Sequence, residues 1–168
     1  MKRALSVVAV AAIAFAVFAI RAGSQAKPAS GFDSLKTLVG TWESKSPSGE
    51  TFTSTIRLVS NGTALEETFQ NSMDNQMVTL YSPDGDRVAV THYCSAGNQP
   101  RMETKAMTGD QKEFDFSFTG ITNLSTPASG HMHHLVIKIA DNDHFSEQWT
   151  WRENDKDRVE SFQLTRKM

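Results

Sequence analysis

The side chains with the most evident chemical potential are the histidines and the one cysteine, which all lie in the second half of the chain. Strand-like alternation puts His92 and Cys94 on one face with two valines, which indicates that this face points inward. The same parity turns His131 and His133 inward together with Leu135. Imidazole and thiolate suit zinc, copper or iron, so one hypothesis is a metal or haem site formed by His92, Cys94 and His133. The alternatives are that these groups orient an organic ligand, or that His131 and His133 belong to a solvated strand end.

Further residues complete the candidate ligand-binding set. Asn98 and Arg101 lie in and just after a turn, where they would line a barrel mouth and bind a carboxylate or an amide. An equally good interpretation is a turn whose amides bond to their own backbone. Phe116 and Trp149 alternate with other aromatic residues and are predicted to be core residues or walls of an apolar pocket. Glu147 would help to orient the polar end of a ligand.

Nucleophilic catalysis fits the sequence poorly. Cys94 and His92 are two residues apart on a predicted strand, so their side chains lie about 7 Å apart, too far for a thiol–imidazole hydrogen bond. The candidate acids and bases are scattered glutamates, and spacing alone demonstrates no pair among Glu66, Glu67, Glu147 and Glu153. We therefore favour a binding protein over an enzyme.

The first 26 residues have the features of a secretory signal peptide. A short basic start precedes an apolar run that lasts to Ile20. Ser24 and Ala26 then place small residues at the −3 and −1 positions of a cleavage point before Lys27. An uncleaved membrane anchor is the alternative, since about 20 apolar residues span a bilayer. Cleavage predicts an exported protein, periplasmic or extracellular, with residues 27–31 as a linker and 32–168 as one domain.

Charge and cysteine content limit the partners of the cleaved chain. Removal of residues 1–26 takes three of the 17 basic residues and leaves 14 against 19 acidic ones, a net charge of −5. Such a surface, without a basic cluster, repels nucleic acid and anionic lipid, so we expect neither nucleic acid binding nor stable membrane insertion. With one cysteine, the domain has no internal disulfide and depends on its core.

Turn signals recur at short, even intervals along residues 32–168, and nine turns imply ten segments. Each turn is rich in residues that adopt positive φ or bond to their own backbone. Between turns, apolar and polar residues alternate, as in Lys112–Thr119, where Phe114, Phe116 and Phe118 share one face. The pattern predicts an all-β sandwich or barrel, preceded by a helical turn at Gly31–Leu38. The predicted turns lie at residues 47–49, 61–62, 72–75, 83–86, 95–100, 108–110, 120–130, 141–143 and 154–155.

A helical turn that leads into Gly40-Thr41-Trp42 resembles the opening of lipocalins and related calycin barrels. In those proteins the tryptophan plugs the closed end and an arginine of the last strand lies across its ring, which Trp42 and Arg166 match. Longer segments are similar to exported bacterial lipocalin-like proteins of uncharacterised function: Thr91–Met102, Gly130–Leu135 and Trp149–Glu153. The resemblance implies an antiparallel up-and-down β-barrel of about ten strands and supplies no ligand. Because lipocalins have eight strands, a ten-stranded barrel related to fatty-acid-binding or nitrobindin-like proteins is equally compatible.

The function that we expect is passive binding of a small apolar or amphipathic molecule inside the barrel. Aromatic and aliphatic side chains would form the walls: Phe114, Phe116, Phe118, Leu135 and Trp149. Polar groups would orient the ligand: His92, Arg101, His133 and Glu147. A metal- or haem-binding barrel is the second hypothesis, and a barrel filled by its own side chains is the third. No pattern in the sequence identifies a cofactor.

Overall fold

The computed structural model describes residues 31–46, 49–71 and 75–168. The predicted signal peptide at 1–26 and residues 27–30 of the linker lie outside them. Gly31 already begins the first helix and is buried. Among the described residues, no helix is long and apolar enough to cross a membrane.

The described residues form short helical turns and ten strands. Helix α1 spans Gly31–Leu35 and is continued by a 3-10 turn at Lys36–Leu38, while a second 3-10 turn, Ser60–Gly62, follows β2. The strands are β1 (Gly40–Lys45), β2 (Thr51–Val59), β3 (Ala64–Asn71), β4 (Gln76–Asp84), β5 (Arg87–Tyr93), β6 (Gln99–Glu103), β7 (Glu113–Thr122), β8 (His131–Ile139), β9 (His144–Glu153) and β10 (Lys156–Arg166).

Hydrogen bonds join these strands into one closed antiparallel barrel. Each strand pairs with its neighbours in sequence, and β10 pairs with β1 to close the sheet. Short connections suffice because all neighbours are antiparallel. The prediction of an all-β, up-and-down barrel of about ten strands with an N-terminal helical turn is confirmed. The predicted turns at 61–62, 108–110, 141–143 and 154–155 fall between strands, those at 83–86, 95–100 and 120–130 overlap the end of a neighbouring strand, and residues 47–48 and 72–74 of the other two lie outside the described residues.

Alternating side chains fill the part of the barrel nearest α1. On β7, Phe114 and Phe116 are fully buried, whereas Glu113 and Asp115 are exposed. This period of two is what a strand shows when one face meets a core and the other meets water. The largest fully buried side chains include Trp42, Phe114, Phe116, Leu135 and Ile137.

The end of the barrel next to α1 is closed around Trp42, which has no exposed surface. Its Nε1 donates to the Leu38 carbonyl at 2.8 Å, and Phe145 packs edge-on with ring centroids 4.7 Å apart. The Arg166 guanidinium lies 4.0 Å from the centroid of the Trp42 ring, a cation–π arrangement. The same guanidinium donates to three backbone carbonyls, those of Thr37, Val39 and Asn142.

Gly40 allows Arg166 to approach the backbone. Its φ is +148°, which other residues rarely adopt, and a Cβ at this position would collide with the Arg166 guanidinium. The structure therefore brings the three predicted structural residues, Gly40, Trp42 and Arg166, together at the closed end.

The seam between β1 and β10 is the loosest part of the sheet. Within the described residues, Trp42 and Glu43 of β1 pair with Arg166 and Thr165, and β10 before Thr165 pairs with β9 alone. The strands therefore separate toward the end of the barrel that lies away from α1.

Candidate ligand-binding site

A cavity of about 690 Å³ lies in the half of the barrel farthest from α1. Its lining comes from eight strands and includes the end of β1 and residues Val159–Phe162 of β10. The volume falls within the range of roughly 300 to 1,000 Å³ that is common for small-molecule sites. The closed half of the barrel is a packed core, so the room that the described residues leave inside the barrel lies in this open half.

Aromatic side chains form much of the cavity wall. Phe52, Phe69 and Phe162 line it and pack against one another, with ring centroids 5.0 to 5.5 Å apart. Trp149 contributes a further aromatic surface, and Met77 adds a flexible apolar side chain. These walls offer a ligand apolar surface on several sides.

Two glutamates meet inside this cavity. Glu67 on β3 and Glu147 on β9 both line it, and each is only 1% exposed. Strand alternation places Glu67 between Leu65 and Phe69 on the inner face of β3. Glu147 has the corresponding inner position between aromatic residues on β9. The two carboxyl groups lie close enough for each to affect the ionisation of the other.

The two carboxyl groups have unequal sets of donors. Ser54 Oγ donates to Glu67 Oε1 at 2.5 Å, and the Tyr81 hydroxyl donates to Glu67 Oε2 at 2.7 Å. Glu147 Oε2 accepts one bond, from Trp149 Nε1 at 2.9 Å, and Glu147 Oε1 has no partner. Donors to the ionised form stabilise it, so this arrangement favours a charged Glu67 and a protonated Glu147.

Electrostatics supports the same assignment. Burial raises the pKa of both carboxyl groups, and the neighbouring Glu67 charge raises the pKa of Glu147 further. Two adjacent carboxylates in a buried site do not both ionise readily. Of the two groups, Glu67 is therefore the one that ionises first, and Glu147 is the one that keeps its proton to higher pH. Within the described part of the chain, no Lys, Arg or His side chain pairs with either group.

His92 lies beside this carboxyl pair in the cavity lining and is 3% exposed. Its Nδ1 is 2.9 Å from Thr79 Oγ1, and its ring centroid is 4.7 Å from that of Trp149. Burial lowers the pKa of His92 to about 4, so the imidazole is neutral at pH 7. Its Nε2 has no partner, and with Glu147 Oε1 it leaves two buried polar atoms unbonded in the cavity lining.

Among the predicted ligand-binding residues, His92, Glu147 and Trp149 line the cavity. Phe116 is a core residue that packs against Tyr81, with ring centroids 6.0 Å apart, and does not line the cavity.

Asn98, Cys94 and Arg101 also lie outside the cavity lining. Asn98 is buried and its Nδ2 donates to the Gly130 carbonyl at 2.9 Å, which ties two connections together. Burial raises the pKa of the Cys94 thiol, which stays protonated and accepts from its own turn. Arg101 is exposed because it alternates with the buried Pro100 and Met102 along β6.

His131 and His133 form a hydrogen-bonded chain at a β-bulge. The pairing of β8 with β9 shifts between Met132 and His134, so strand parity does not carry through this point, and Met132 lines the cavity. His131 Nδ1 bonds to a backbone carbonyl, His131 Nε2 bonds to His133 Nδ1 at 3.1 Å, and His133 Nε2 bonds to Arg152 at 2.7 Å. Since carbonyls only accept and arginine only donates, both rings are neutral and all their nitrogens are used.

This geometry gives no support to the metal hypothesis. Within residues 31–46, 49–71 and 75–168, no group of three or more His, Cys, Asp or Glu side chains is placed to hold a metal ion. His92 bonds to Thr79, whereas His133 bonds to His131 and Arg152. His92, Cys94 and His133 therefore do not form the predicted cluster.

Sequence analysis missed Glu67 as a site residue. Its signal was an acidic residue on an otherwise apolar strand face, between Leu65 and Phe69. The pairing with Glu147 could not be read from spacing, because β3 and β9 are far apart in sequence and meet only across the closed barrel. Three aromatic wall residues were missed as well: Phe52, Phe69 and Phe162.

Comparison with known proteins supports the fold alone. No protein-family model matches the chain, and no curated protein sequence matches it. The solved structure of a protein of unknown function from the DUF3598 family of Nostoc punctiforme PCC 73102 is similar, with a TM-score of 0.53 and 10% sequence identity. The match covers 88% of this chain and 53% of that one, so this chain spans about half the length of its structural neighbour.

Proposed function

We propose that this protein binds a small amphipathic molecule in the open half of its barrel. The observation that carries the proposal is the cavity of about 690 Å³, which combines aromatic walls with buried polar atoms that have no partner. A barrel filled by its own side chains would have no such space. A pocket with mostly apolar walls and a few convergent polar groups is the usual form of a small-molecule site.

The apolar walls supply the affinity of this proposed interaction. The cluster of Phe52, Phe69 and Phe162 stands on one side, and Trp149 adds to the lining. Burial of apolar ligand surface against such walls contributes about 25 cal/mol per Å² before the costs of association. Glu67, Glu147 and His92 fix the orientation of the polar end.

We further propose that the barrel is lipocalin-like and that the protein is exported. The arrangement of Trp42 under the Arg166 guanidinium, with α1 across the closed end, supports the first statement. The basic start, the apolar run and the small residues before Lys27 support the second. Mass spectrometry of the mature protein from its host tests export, since cleavage predicts a chain that begins at Lys27.

Binding of the neutral fluorescent probe N-phenyl-1-naphthylamine tests the proposed function. We expect saturable fluorescence enhancement with wild-type protein and binding about tenfold weaker in Met77→Trp, because the larger side chain fills the cavity. Tenfold corresponds to about 1.4 kcal/mol. Gln76→Trp is the matched control, since Gln76 is exposed on the same strand. Absence of wild-type binding, or equal affinity of the two variants, would contradict the proposal.

A further inference from the structure

We infer that the ligand carries a protonated amine or amidine, which binds to the Glu67–Glu147 carboxyl pair in the cavity. This inference rests on the proposed function and names the chemical class of the ligand. Three features support it: a buried carboxyl pair with no cationic partner among the described residues, two unbonded polar atoms in the same cavity lining, and aromatic walls suited to a cation.

The first feature is the charge. Glu67 and Glu147 are each 1% exposed, Glu67 has the donors that favour its ionised form, and no cationic side chain of the described residues is bonded to either group. A buried charge without a counter-ion is costly, because burial removes water and nothing replaces its attraction. A ligand cation would supply the missing opposite charge. A ligand carboxylate would instead meet like charge in a medium of low dielectric constant.

The second feature is the pair of buried polar atoms without partners, Glu147 Oε1 and His92 Nε2. Both residues line the cavity. His92 Nε2 accepts a hydrogen bond when its Nδ1 donates to Thr79 Oγ1, and Glu147 Oε1 keeps acceptor capacity even where it carries the proton. An ammonium group carries three donors and no acceptor, which matches a site whose free atoms are acceptors.

The third feature is the aromatic lining around these acceptors. Trp149 lies beside both groups, since its Nε1 bonds to Glu147 and its ring packs 4.7 Å from the His92 ring. Indole faces attract cations by about 0.5 to 2 kcal/mol. Phe52, Phe69 and Phe162 then offer apolar surface for the remainder of an amphipathic amine.

Lys45 raises the alternative that the ligand is an anion. It lines the cavity and is exposed. A fatty acid could place its carboxylate there, but its apolar chain would then lie against the buried charge of Glu67. The experiment therefore compares head groups on one identical chain.

Isothermal titration calorimetry at pH 7 with octylamine, 1-octanol and octanoate tests the inference. We expect octylamine to bind at least about tenfold more tightly than 1-octanol, and octanoate to bind most weakly. Equal or tighter binding of 1-octanol or octanoate would overturn the inference and leave the proposed function standing. Failure of all three ligands and of the neutral probe would instead overturn the proposed function.

Substitutions at the carboxyl pair test whether these two groups cause the preference for octylamine. In Glu67→Gln/Glu147→Gln we expect octylamine and 1-octanol to bind within about threefold of each other, because the charge is gone. Glu66→Gln is the control: Glu66 neighbours Glu67 but bonds to the exposed Arg57, and it should keep the wild-type preference. Retention of the amine preference in the double variant would contradict the inference. If the double variant does not fold, the wild-type comparison of the three head groups still decides.

Discussion

Each end of the barrel has an ionisable side chain against its interior, a half-buried arginine at one end and a buried carboxyl pair at the other, and their charges are compensated in different ways. At the closed end, Arg166 lies on the Trp42 ring and donates to three backbone carbonyls. At the open end, Glu67 accepts from two hydroxyl groups and adjoins Glu147, and no cationic side chain of residues 31–46, 49–71 and 75–168 is bonded to either. These residues supply partners for the cation at one end and no counter-ion for the carboxyl pair at the other.

This difference indicates a division of roles within one sheet. The Arg166 cation has three carbonyl acceptors, an aromatic ring and an ion pair with Asp143, and it ties the last strand to the first and contributes to stability. An uncompensated carboxylate beside empty volume lowers stability, and such local costs are typical of sites that bind ligands. Substitutions at the closed end should therefore change stability, whereas substitutions at the carboxyl pair should change binding more.

The largest expected effect is the loss of the closed end in Trp42→Ala. Removing a fully buried indole leaves a cavity and deprives Arg166 of its aromatic partner, so we expect a loss of about 3 to 5 kcal/mol in the free energy of unfolding. Urea unfolding followed by circular dichroism measures this loss. A change below about 1 kcal/mol would mean that Trp42 does not hold this end together.

The next largest expected effect is the pH dependence of the free energy of unfolding that His92 causes. Its pKa is lowered to about 4 by burial, so the unfolded chain binds a proton near pH 6.5 that the folded chain does not bind. The contribution of neutral His92 to the free energy of unfolding is fully present above pH 6.5 and is lost as the pH falls toward 4. At 1.36 kcal/mol per pKa unit, the loss approaches about 3 kcal/mol.

Comparison of wild-type protein with His92→Gln isolates this contribution. Thr79 and Trp149 pack against His92, and the titratable groups that share its cavity are Glu67 and Glu147, which remain in both proteins. Burial raises their pKa values, so their own effect has the opposite sign and cancels in the difference. Urea unfolding at pH 7 and pH 4 gives the result, and a pH-independent difference would contradict a buried neutral His92.

A smaller effect tests whether Glu67 is charged. Tyr81→Phe removes a hydroxyl that donates to Glu67 at 2.7 Å. Hydrogen bonds to charged groups contribute about 1.5 to 3 kcal/mol, so we expect a loss of about 2 kcal/mol. The same substitution made in a Glu67→Leu background should cost less than about 0.5 kcal/mol. An equal cost in both backgrounds would show that Tyr81 acts through packing alone.

The smallest expected effect on stability tests which of the two glutamates, Glu67 or Glu147, is protonated. Glu147→Gln keeps a neutral side chain with an acceptor for Trp149 Nε1, so we expect a change below about 1 kcal/mol in unfolding free energy. Glu67→Gln places an amide nitrogen against one of two hydroxyl donors and should cost more. The reverse order in thermal or urea unfolding would place the proton on Glu67 instead.

Strand alternation and turn chemistry predicted the barrel because both are local properties. The nine turns were visible as positive-φ and self-bonding residues, and Trp42 and Arg166 were visible through a resemblance. Side-chain parity placed His92 inward, where it is buried. Side-chain parity did not predict the orientation of side chains at Met132–His134, because the β-bulge there adds one residue that no periodic pattern reveals.

The carboxyl pair depends on the closed barrel, which sequence spacing does not specify. Glu67 and Glu147 lie on strands that are not hydrogen-bonded neighbours, and only the curvature of the whole sheet brings them together. The cavity has the same origin, since it reflects where β1 and β10 separate. Alternation could still have identified Glu67 as an inward acid, as it lies between two buried apolar residues of β3.

Carbon-13 NMR of the glutamate side-chain carboxyl groups in ligand-free protein tests the central claim most directly. Spectra recorded from pH 4 to pH 8, with Glu67 and Glu147 assigned through their glutamine variants, report the protonation of each group. We predict that Glu147 remains protonated well above the usual glutamate pKa of about 4.3 while Glu67 carries the charge. Ionisation of both carboxyl groups by about pH 5 would contradict a shared proton and the uncompensated single charge.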